Sequence, residues 1–165
     1  VAGGLAAADP GRDIAKIAVV ERHKASGRVG LGFVRGFGLK AGAIASTVAH
    51  DSHNLIVVGT NDRDMAACVR HLARTGGGLC DAHDGRIAAT LPLPIAGLMS
   101  DRDAEVVAGR LTLVKAAATI LGSSLPDPFM HLSFLSLPVV PELRLTDRGL
   151  VDVRRFEIVP LFAGS

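Results

Sequence analysis

The residue types best suited to chemistry in this sequence come together in one short polar stretch. Residues 46–54, Ser-Thr-Val-Ala-His-Asp-Ser-His-Asn, lie between the apolar runs Ala-Gly-Ala-Ile-Ala and Leu-Ile-Val-Val-Gly. The stretch ends with two imidazoles, a carboxylate, a hydroxyl and an amide, supplied by His50, Asp51, Ser52, His53 and Asn54. Such groups transfer protons, orient polar substrates or bind metals, but they also close tight turns by hydrogen bonding to the backbone. Three interpretations stay open: a polar turn, a substrate-contacting site and a metal site.

The metal interpretation is the weakest of the three. A metal site needs donor atoms that converge on one point about 2 Å from the ion. His50, Asp51 and His53 supply three donors in sequence, and His-x-x-His spacing can bring two imidazoles together from a turn. Structural sites for zinc usually have a fourth ligand, which this stretch does not offer. We therefore predict no metal ligand in this chain.

Two other clusters carry reactive residue types and have simpler interpretations. Glu21, Arg22 and His23 could orient a substrate. A charged trio at the end of a buried strand, however, more often forms a surface salt-bridge patch. Cys80 and His83 have Cys-x-x-His spacing but no second ligand pair, so zinc is not expected there.

The rest of the sequence does not predict a self-contained active site. His71 is expected on the solvated side of a helix, and His131, flanked by apolar residues, is expected to be semi-buried. The signature of zinc nucleobase deaminases, His-x-Glu with Pro-Cys-x-x-Cys, is absent from the sequence. So are the Gly-x-Ser-x-Gly elbow and the His-Glu-x-x-His motif.

Strands are predicted on both sides of the polar stretch. Ile14–His23 has the apolar centre of a strand buried on both faces, and residues 43–49 and 55–60 predict two more. In the extended segment 26–42, one side is nearly bare because it carries Gly30, Gly32, Gly36 and Gly38. A bare face allows close approach of another backbone, so we expect a helix or a partner domain against it. A phosphate loop is not predicted, because Gly-x-Gly-x-x-Gly would need glycine where Arg35 stands.

Two amphipathic helices are predicted. Asn61 caps the first, which the glycines at 76–78 end. Its apolar stripe consists of Met65, Val69, Leu72 and Ala73. Ser100 and Asp103 have capping-box spacing at the start of the second, which Gly122 ends. Its stripe consists of Val107, Leu111, Val114, Ala118 and Leu121.

The remaining patterns complete the expected architecture. Asp84 and Gly85 predict a hairpin turn. Four prolines in residues 125–153 exclude a long helix, so an irregular extended segment with a turn at 147–149 is expected. Together these elements predict a single α/β or α+β layered domain, residues 1–165, with a mixed β-sheet flanked by two amphipathic helices.

Composition limits the partners of this domain. Hydrophobic residues make up 48% of the chain and the mean hydropathy is +0.37, so we expect another domain or subunit to cover part of the surface. The apolar runs are shorter than the ~18 residues of a membrane span, so no membrane partner is expected. The scattered charges sum to +2 and aromatic residues are few, which argues against nucleic-acid binding.

Two further features concern the compartment and the extent of the chain. Cys68 and Cys80 are interpreted as reduced thiols of a cytoplasmic protein. The start of the sequence, with neither Met nor a signal peptide, suggests a piece of a longer polypeptide.

Several long strings resemble the C-terminal domain of the bacterial and archaeal adenine deaminases, members of the amidohydrolase superfamily. They are residues 21–62, which include the polar stretch, 91–101, 125–153 and 156–162. The resemblance implies a cytoplasmic, metal-dependent hydrolase that converts adenine to hypoxanthine and ammonia in purine salvage and adenine catabolism. It also implies a binuclear Mn or Fe centre in an upstream catalytic barrel, and a homo-oligomer. The superfamily's His-x-His metal motif does not occur here, so none of its ligand roles passes to a residue of this chain.

The resemblance leaves two hypotheses for what this segment contributes. In the first, the polar stretch completes the active site: His50 and His53 transfer protons or orient the substrate, Asp51 holds an imidazole, and Ser52 or Asn54 meets a purine edge. In the second, the segment is a non-catalytic structural or oligomerisation domain whose glycine-lined strand packs on the barrel or on a sister subunit. Five polar residues in succession exceed what a turn needs, which favours the first.

Overall fold

The computed structural model describes residues 6–162 and contains two antiparallel sheets and three α-helices. The larger sheet contains β1 (Ile14–Val20), β2 (Val29–Arg35), β3 (Ala43–Ser46), β4 (Leu55–Gly59), β5 (Gly78–His83) and β6 (Arg86–Pro92). The smaller contains β7 (Leu143–Thr146), β8 (Gly149–Asp152) and β9 (Glu157–Val159). The helices are α1 (Asp62–Thr75), α2 (Ala104–Ile120) and α3 (Pro128–Phe134).

The larger sheet separates two apolar cores. Its strand order is β2-β1-β4-β3-β5-β6, so β3 and β4, which the polar stretch connects, lie side by side near the centre. Helix α1 packs on one face, and α2 and α3 contribute to the core on the other face. The α+β form of the predicted fold is confirmed. Every strand pair in both sheets is antiparallel, so the predicted mixed sheet is antiparallel throughout.

Helix α1 follows its predicted caps. The Asn61 side chain accepts a hydrogen bond from the backbone N–H of Asp64 at 2.9 Å, and Gly76 ends the helix in the left-handed conformation at φ 80°. Met65 and Leu72 are buried as predicted, but Ala73 is exposed, and Cys68 is fully buried although it was not predicted to be. Since Cys68 lies between Met65 and Leu72 at helical spacing, it continues the same stripe.

Helix α2 starts without the predicted capping box. Asp103 is the N-cap residue, but within residues 6–162 its side chain makes no capping hydrogen bond, and the Ser100 hydroxyl accepts from the N–H of Arg102. Of the helix residues, only Val114 and Ala118 are buried, while Val107 and Leu111 are partly buried against the same core. None of the helices within residues 6–162 is long and apolar enough to cross a membrane.

The proline-rich segment contains a helix that its composition did not predict. Helix α3 starts at Pro128, where a missing N–H costs nothing because the first turn has no intrahelical acceptor for it. Asp127 caps it by accepting from the N–H of Met130 at 3.1 Å. The predicted turn at 147–149 is confirmed between β7 and β8, and the Asp84-Gly85 turn is confirmed between β5 and β6.

The glycine face of β2 meets another backbone, but one from this same chain. A Cβ added at Gly30 would collide with the carbonyl oxygen of Thr146, and one added at Gly32 would lie 3.6 Å from Leu145. The smaller sheet therefore packs on this face, and the expectation of a helix or a partner there is wrong. The first strand is also shorter than predicted, since it ends at Val20 and leaves residues 21–23 in a loop.

Candidate functional site

The polar stretch is the connection between β3 and β4, and its first residues are fixed inside the fold. Thr47 is buried, and its hydroxyl donates to the carbonyl of Gly97 at 2.7 Å while it accepts from the N–H of Gly78 at 2.8 Å. The hydroxyl of Ser46, also buried, accepts from the N–H of Val48 at 2.9 Å. These bonds satisfy polar groups that could not stay buried unpaired, and they set the direction in which the chain leaves β3.

The middle of the connection is held by its own backbone and by α3. The N–H of His50 donates to the carbonyl of Ser133 at 3.0 Å, and the N–H of His53 donates to the carbonyl of Ala49 at 2.7 Å. The N–H of Ala49 in turn donates to Nδ1 of His53 at 3.3 Å. A neutral imidazole that accepts at Nδ1 carries its proton on Nε2. His53 therefore has an Nε2–H available as a donor.

Arg22 fixes the far side of the connection. Its guanidinium donates from Nε to the carbonyl of His53 at 2.5 Å and from Nη2 to the carbonyl of Ala96 at 2.6 Å. His53 has φ 49°, a conformation that costs a non-glycine residue about 1–2 kcal/mol. The two carbonyl contacts of the rigid guanidinium help to hold that conformation. Within residues 6–162 Arg22 has no ion-pair partner, so the predicted salt-bridge patch is not formed.

The carboxylate of Glu21 organises the neighbouring loop. It accepts hydrogen bonds from the backbone N–H and the hydroxyl of Ser26 and from the N–H groups of His23 and Lys24. These bonds, with the two from Ser26 contributing most, lower the pKa of Glu21 to about 2. Glu21 is thus an ionised structural group of the loop that presents Arg22 and His23.

The end of the connection is tied to the smaller sheet. Asn54 is buried, and its side-chain amide donates to the carboxylate of Asp147 at 3.3 Å, while its oxygen accepts from the N–H of Arg22 at 3.4 Å. Asp147 lies in the β7–β8 turn and also accepts from Nε of Arg28 at 2.9 Å. The amide of Asn54 is thus used to hold the turn. Of the two predicted purine contacts, Ser52 is the one that remains on the exposed side.

The outward side of the connection presents the imidazole of His50. Its ring centroid lies 5.1 Å from that of Phe134 and 5.8 Å from that of His53, the two imidazoles meeting edge to face. Within residues 6–162, neither ring nitrogen of His50 has a hydrogen-bond partner. Asp51 and Ser52 are exposed beside it, and Nε2 of His23 donates to the carbonyl of Ser52 at 2.7 Å. The backbone is therefore fixed while the reactive side chains remain available.

The electrostatics of the site favour a neutral His53. Burial lowers the pKa of His53 most, and the neighbouring His50 and Arg22 lower it further because they carry or can carry positive charge, whereas Asp51 opposes the shift. At neutral pH the ring is thus an uncharged hydrogen-bond donor at Nε2. Such a group can donate to an uncharged polar acceptor without adding a positive charge to the site.

The residues of this site do not fit a metal centre. Across residues 6–162 there is no group of three or more His, Cys, Asp or Glu side chains placed to hold a metal ion. Nδ1 of His53 is already occupied by the N–H of Ala49. No chemical step is therefore assigned to a metal held by these residues.

The other histidine and cysteine candidates lie away from this site. His71 is half-buried, not solvated, and its Nε2 lies 2.9 Å from the Thr90 hydroxyl on β6. His131 is exposed, not semi-buried, and its Nδ1 donates to the carbonyl of Asp127 at 2.8 Å. Cys80 is buried beside Cys68, whereas His83 lies exposed at the end of β5.

Two residues that position the site were not predicted to do so. The sequence favours a surface salt-bridge patch for Arg22 and predicts only a turn at Asp147. The pattern of charged residues next to a buried strand gave a signal for Arg22. For Asp147 the sequence carried no signal, because its partner Asn54 is 93 residues away.

Comparisons with known proteins agree on one family. A family model described as the adenine deaminase C-terminal domain matches residues 1–157. A relative named adenine deaminase from Desulfatibacillum aliphaticivorans is 59% identical over 159 residues, which is 96% of this chain. Relatives with the same name from Moorella thermoacetica and Methanothrix thermoacetophila are each 59% identical, over 99% and 98% of this chain. The chain spans 28% of the length of each of these relatives.

Proposed function

The chain belongs to the adenine deaminase C-terminal domain family, and on that premise we propose that it is part of a cytoplasmic enzyme that hydrolyses adenine to hypoxanthine and ammonia. The names of the relatives support this activity. In the proposed enzyme, which serves purine salvage, a binuclear Mn or Fe centre is held by an upstream barrel domain. The metal would make a bound water nucleophilic.

The role proposed for residues 46–54 is contact with the purine at the mouth of that barrel. One observation carries this role: the imidazole of His50 has no hydrogen-bond partner within residues 6–162, although the backbone around it is fixed by α3 and by Arg22. A rigid backbone that presents an unpaired imidazole is the arrangement that orientation or proton transfer requires.

Hydrolysis of adenine replaces the exocyclic amino group with oxygen from water, so protons must move from the attacking water to the departing ammonia. His50 is the proposed group for proton exchange or substrate orientation, because within residues 6–162 neither of its ring nitrogens has a hydrogen-bond partner. His53 offers a neutral Nε2–H that suits an unprotonated ring nitrogen of a purine. The exposed oxygens of Asp51 and Ser52 can accept from an amino group or from the imidazole.

A second candidate function is a non-catalytic structural or oligomerisation domain. The observation that favours it is the outer face of α2, on which Leu113 and Ile120 are 63% and 85% exposed. This surface lies on α2, whereas the polar stretch connects β3 and β4. The two functions can therefore be tested separately.

The test of the first role is His50→Gln in the full-length polypeptide. We expect kcat/KM for adenine to fall by roughly a hundredfold or more, as is typical when one acid–base group is lost. Metal content and the far-ultraviolet circular dichroism spectrum should be unchanged. His83→Gln is the matched control, because His83 is exposed at the end of β5 and away from the turn.

Two results would contradict the proposals. Unchanged kcat/KM in the His50→Gln variant would reject the catalytic role of the turn and favour the structural function. Absence of adenine deamination by the metal-loaded wild-type polypeptide would reject the proposed activity itself.

A further inference from the structure

Helix α2 is apolar on two opposite sides. One side packs on the sheet through Val114 and Ala118, with Val107 and Leu111 at its margin. The other side is exposed, although it consists mostly of aliphatic and small residues. A helix that is hydrophobic all round is normally buried all round. The exposed side of α2 therefore has the composition of an interface.

The exposed side carries a regular pattern, which we call the α2 seam. The seam consists of Val106, Gly109, Leu113, Ala116 and Ile120. Its steps of three, four, three and four residues give the heptad repeat of paired helices, with the large residues at the a positions and Gly109 and Ala116 at the d positions. Apart from its two chain neighbours and the backbone of α2 itself, no atom of residues 6–162 lies within 4 Å of the position that a Cβ on Gly109 would occupy. The seam thus has room for a second helix to approach closely.

The charges beside the seam select the partner and its direction. Glu105 occupies a g position and Arg110 an e position, both are exposed, and neither has an ion-pair partner within residues 6–162. In a parallel pair of identical helices, a g residue lies beside the e residue five positions later in the partner. Glu105 of each copy then meets Arg110 of the other. In an antiparallel pair, e positions face e positions and g face g, so these opposite charges do not meet.

A groove next to the seam extends the contact surface. It has a volume of about 560 Å³ between α2 and β6. Its lining includes Ala88 and Thr90 of β6 and Leu113, Ala117 and Ile120 of α2. Arg110 also lines it. In a parallel pair the two Glu105–Arg110 contacts lie on opposite sides of the seam, and the one made by Arg110 of this copy forms on the side of this groove.

We propose that the α2 seam is the contact surface of a homodimer, in which α2 of one copy lies parallel to α2 of a second copy across a two-fold axis. The structure moves the predicted oligomer contact from the glycine face of β2, which the chain covers itself, to α2. The dimer buries Leu113 and Ile120. Its two Glu105–Arg110 pairs fix the register.

Sedimentation velocity on the full-length polypeptide tests whether a second copy of the chain binds the α2 seam. The wild type should be a dimer, and Leu113→Glu should raise the dimer dissociation constant by roughly a hundredfold or more, because it places an unpaired charge in the contact. Leu31→Glu is the matched control, since Leu31 is 64% exposed on β2, and it should remain dimeric. A wild type that is monomeric, or a Leu113→Glu variant that dimerises as well as the control, would overturn the proposal.

Charge reversal tests the parallel direction. Arg110→Glu and Glu105→Arg should each weaken the dimer, because each places like charges together, and the double variant should restore it. A double variant that is weaker than both single variants would overturn the parallel pairing. Circular dichroism of each variant reports whether the fold is intact.

Cross-linking gives an independent readout. In the parallel dimer, Ala116 of each copy occupies the same d position close to the two-fold axis. In the Ala116→Cys variant, oxidised glutathione should therefore link two copies through a disulfide. Ala108→Cys, at the exposed c position, is the control and should not form this link. The native Cys68 and Cys80 are buried and should not react. If Cys at position 116 is instead protected from alkylation in a monomer, another segment of the same polypeptide covers the seam and the proposal fails.

Discussion

The side-chain amide of Asn54 donates a hydrogen bond to the carboxylate of Asp147 at 3.3 Å, which joins the β3–β4 connection to the β7–β8 turn. Arg28, immediately before β2, donates to the other carboxylate oxygen at 2.9 Å. The candidate site therefore depends on the smaller sheet for its position, although no residue of that sheet carries the proposed chemistry.

Asn54→Ala should destabilise the protein by about 1–3 kcal/mol, because it leaves the Asp147 carboxylate without one of its partners and the N–H of Arg22 without an acceptor. Urea unfolding followed by circular dichroism measures the effect. Asp51→Ala is the control within the same turn, since Asp51 is exposed, and its effect should be within about 0.5 kcal/mol. Equal stability of the two variants would show that the Asn54–Asp147 contact does not hold the turn.

Gly30→Ala should destabilise the protein by about 1–3 kcal/mol or more, because the new methyl group meets the backbone carbonyl of Thr146 and must push the β7–β8 turn away. Leu31→Ala, on the opposite face of the same strand, provides the comparison and should have a small effect. The free energy of unfolding in urea distinguishes them. If Gly30→Ala were as stable as the wild type, the smaller sheet could not be packed as closely on β2 as the structure shows.

Local patterns predicted most of the elements, because caps, turns and apolar periodicity act over a few residues. Asn61 and Gly76 bounded α1, and Asp84 with Gly85 formed the hairpin turn. The short helix α3 was missed because proline was interpreted as a helix breaker, whereas Pro128 lies in a first turn. The prediction that Ala73 is buried was wrong, because a short apolar pattern is consistent with more than one stripe along an α-helix.

The sequence correctly predicted that the polar stretch connects two buried strands, but it could not predict which partner each side chain of the stretch would have. The partners that distinguish them are distant in sequence: Ser133 for His50, Asp147 for Asn54 and Arg22 for His53. The covering of the glycine face of β2 was missed for the same reason, because Gly30 meets Thr146 only through the folded arrangement of two sheets.

The imidazole of His53 should titrate below its ordinary pKa of 6.5, because burial and the neighbouring His50 disfavour its protonated form. Since the unfolded chain then binds more protons than the folded one, the contribution of His53 to stability is present above pH 6.5 and is lost as the pH falls below it. Proton NMR of the ring hydrogens measures the titration directly. In the His50→Gln variant the pKa of His53 should move part of the way back.

The urea-unfolded protein provides the reference for this titration, and there His53 should show the ordinary pKa. A folded-state pKa of His53 at or above 6.5 would contradict the proposed neutral donor. It would also leave the site with a second cation beside Arg22.

Asp81 should make the protein less stable as the pH rises. It is fully buried in β5, between Ile44 of β3 and Ala89 of β6, and within residues 6–162 neither carboxylate oxygen has a hydrogen-bond partner. Burial raises the pKa of Asp81 from 3.8 to about 8, so between these values the folded state binds more protons than the unfolded state. The contribution of Asp81 to the free energy of unfolding therefore falls by up to about 1.4 kcal/mol per pH unit across that window.

Asp81→Asn removes this titration while keeping the size of the side chain, so its unfolding free energy should exceed that of the wild type above about pH 8 and the difference should shrink toward pH 4. Asp84→Asn in the adjacent turn is the control, because Asp84 is exposed and should leave the difference close to zero at every pH. Urea unfolding at a series of pH values measures both variants against the wild type. The unfolding free energy of Asp81→Asn could instead equal that of the wild type at every pH. The carboxyl of Asp81 would then have to reach water or a partner, and β5 could not have the buried position that the structure gives it.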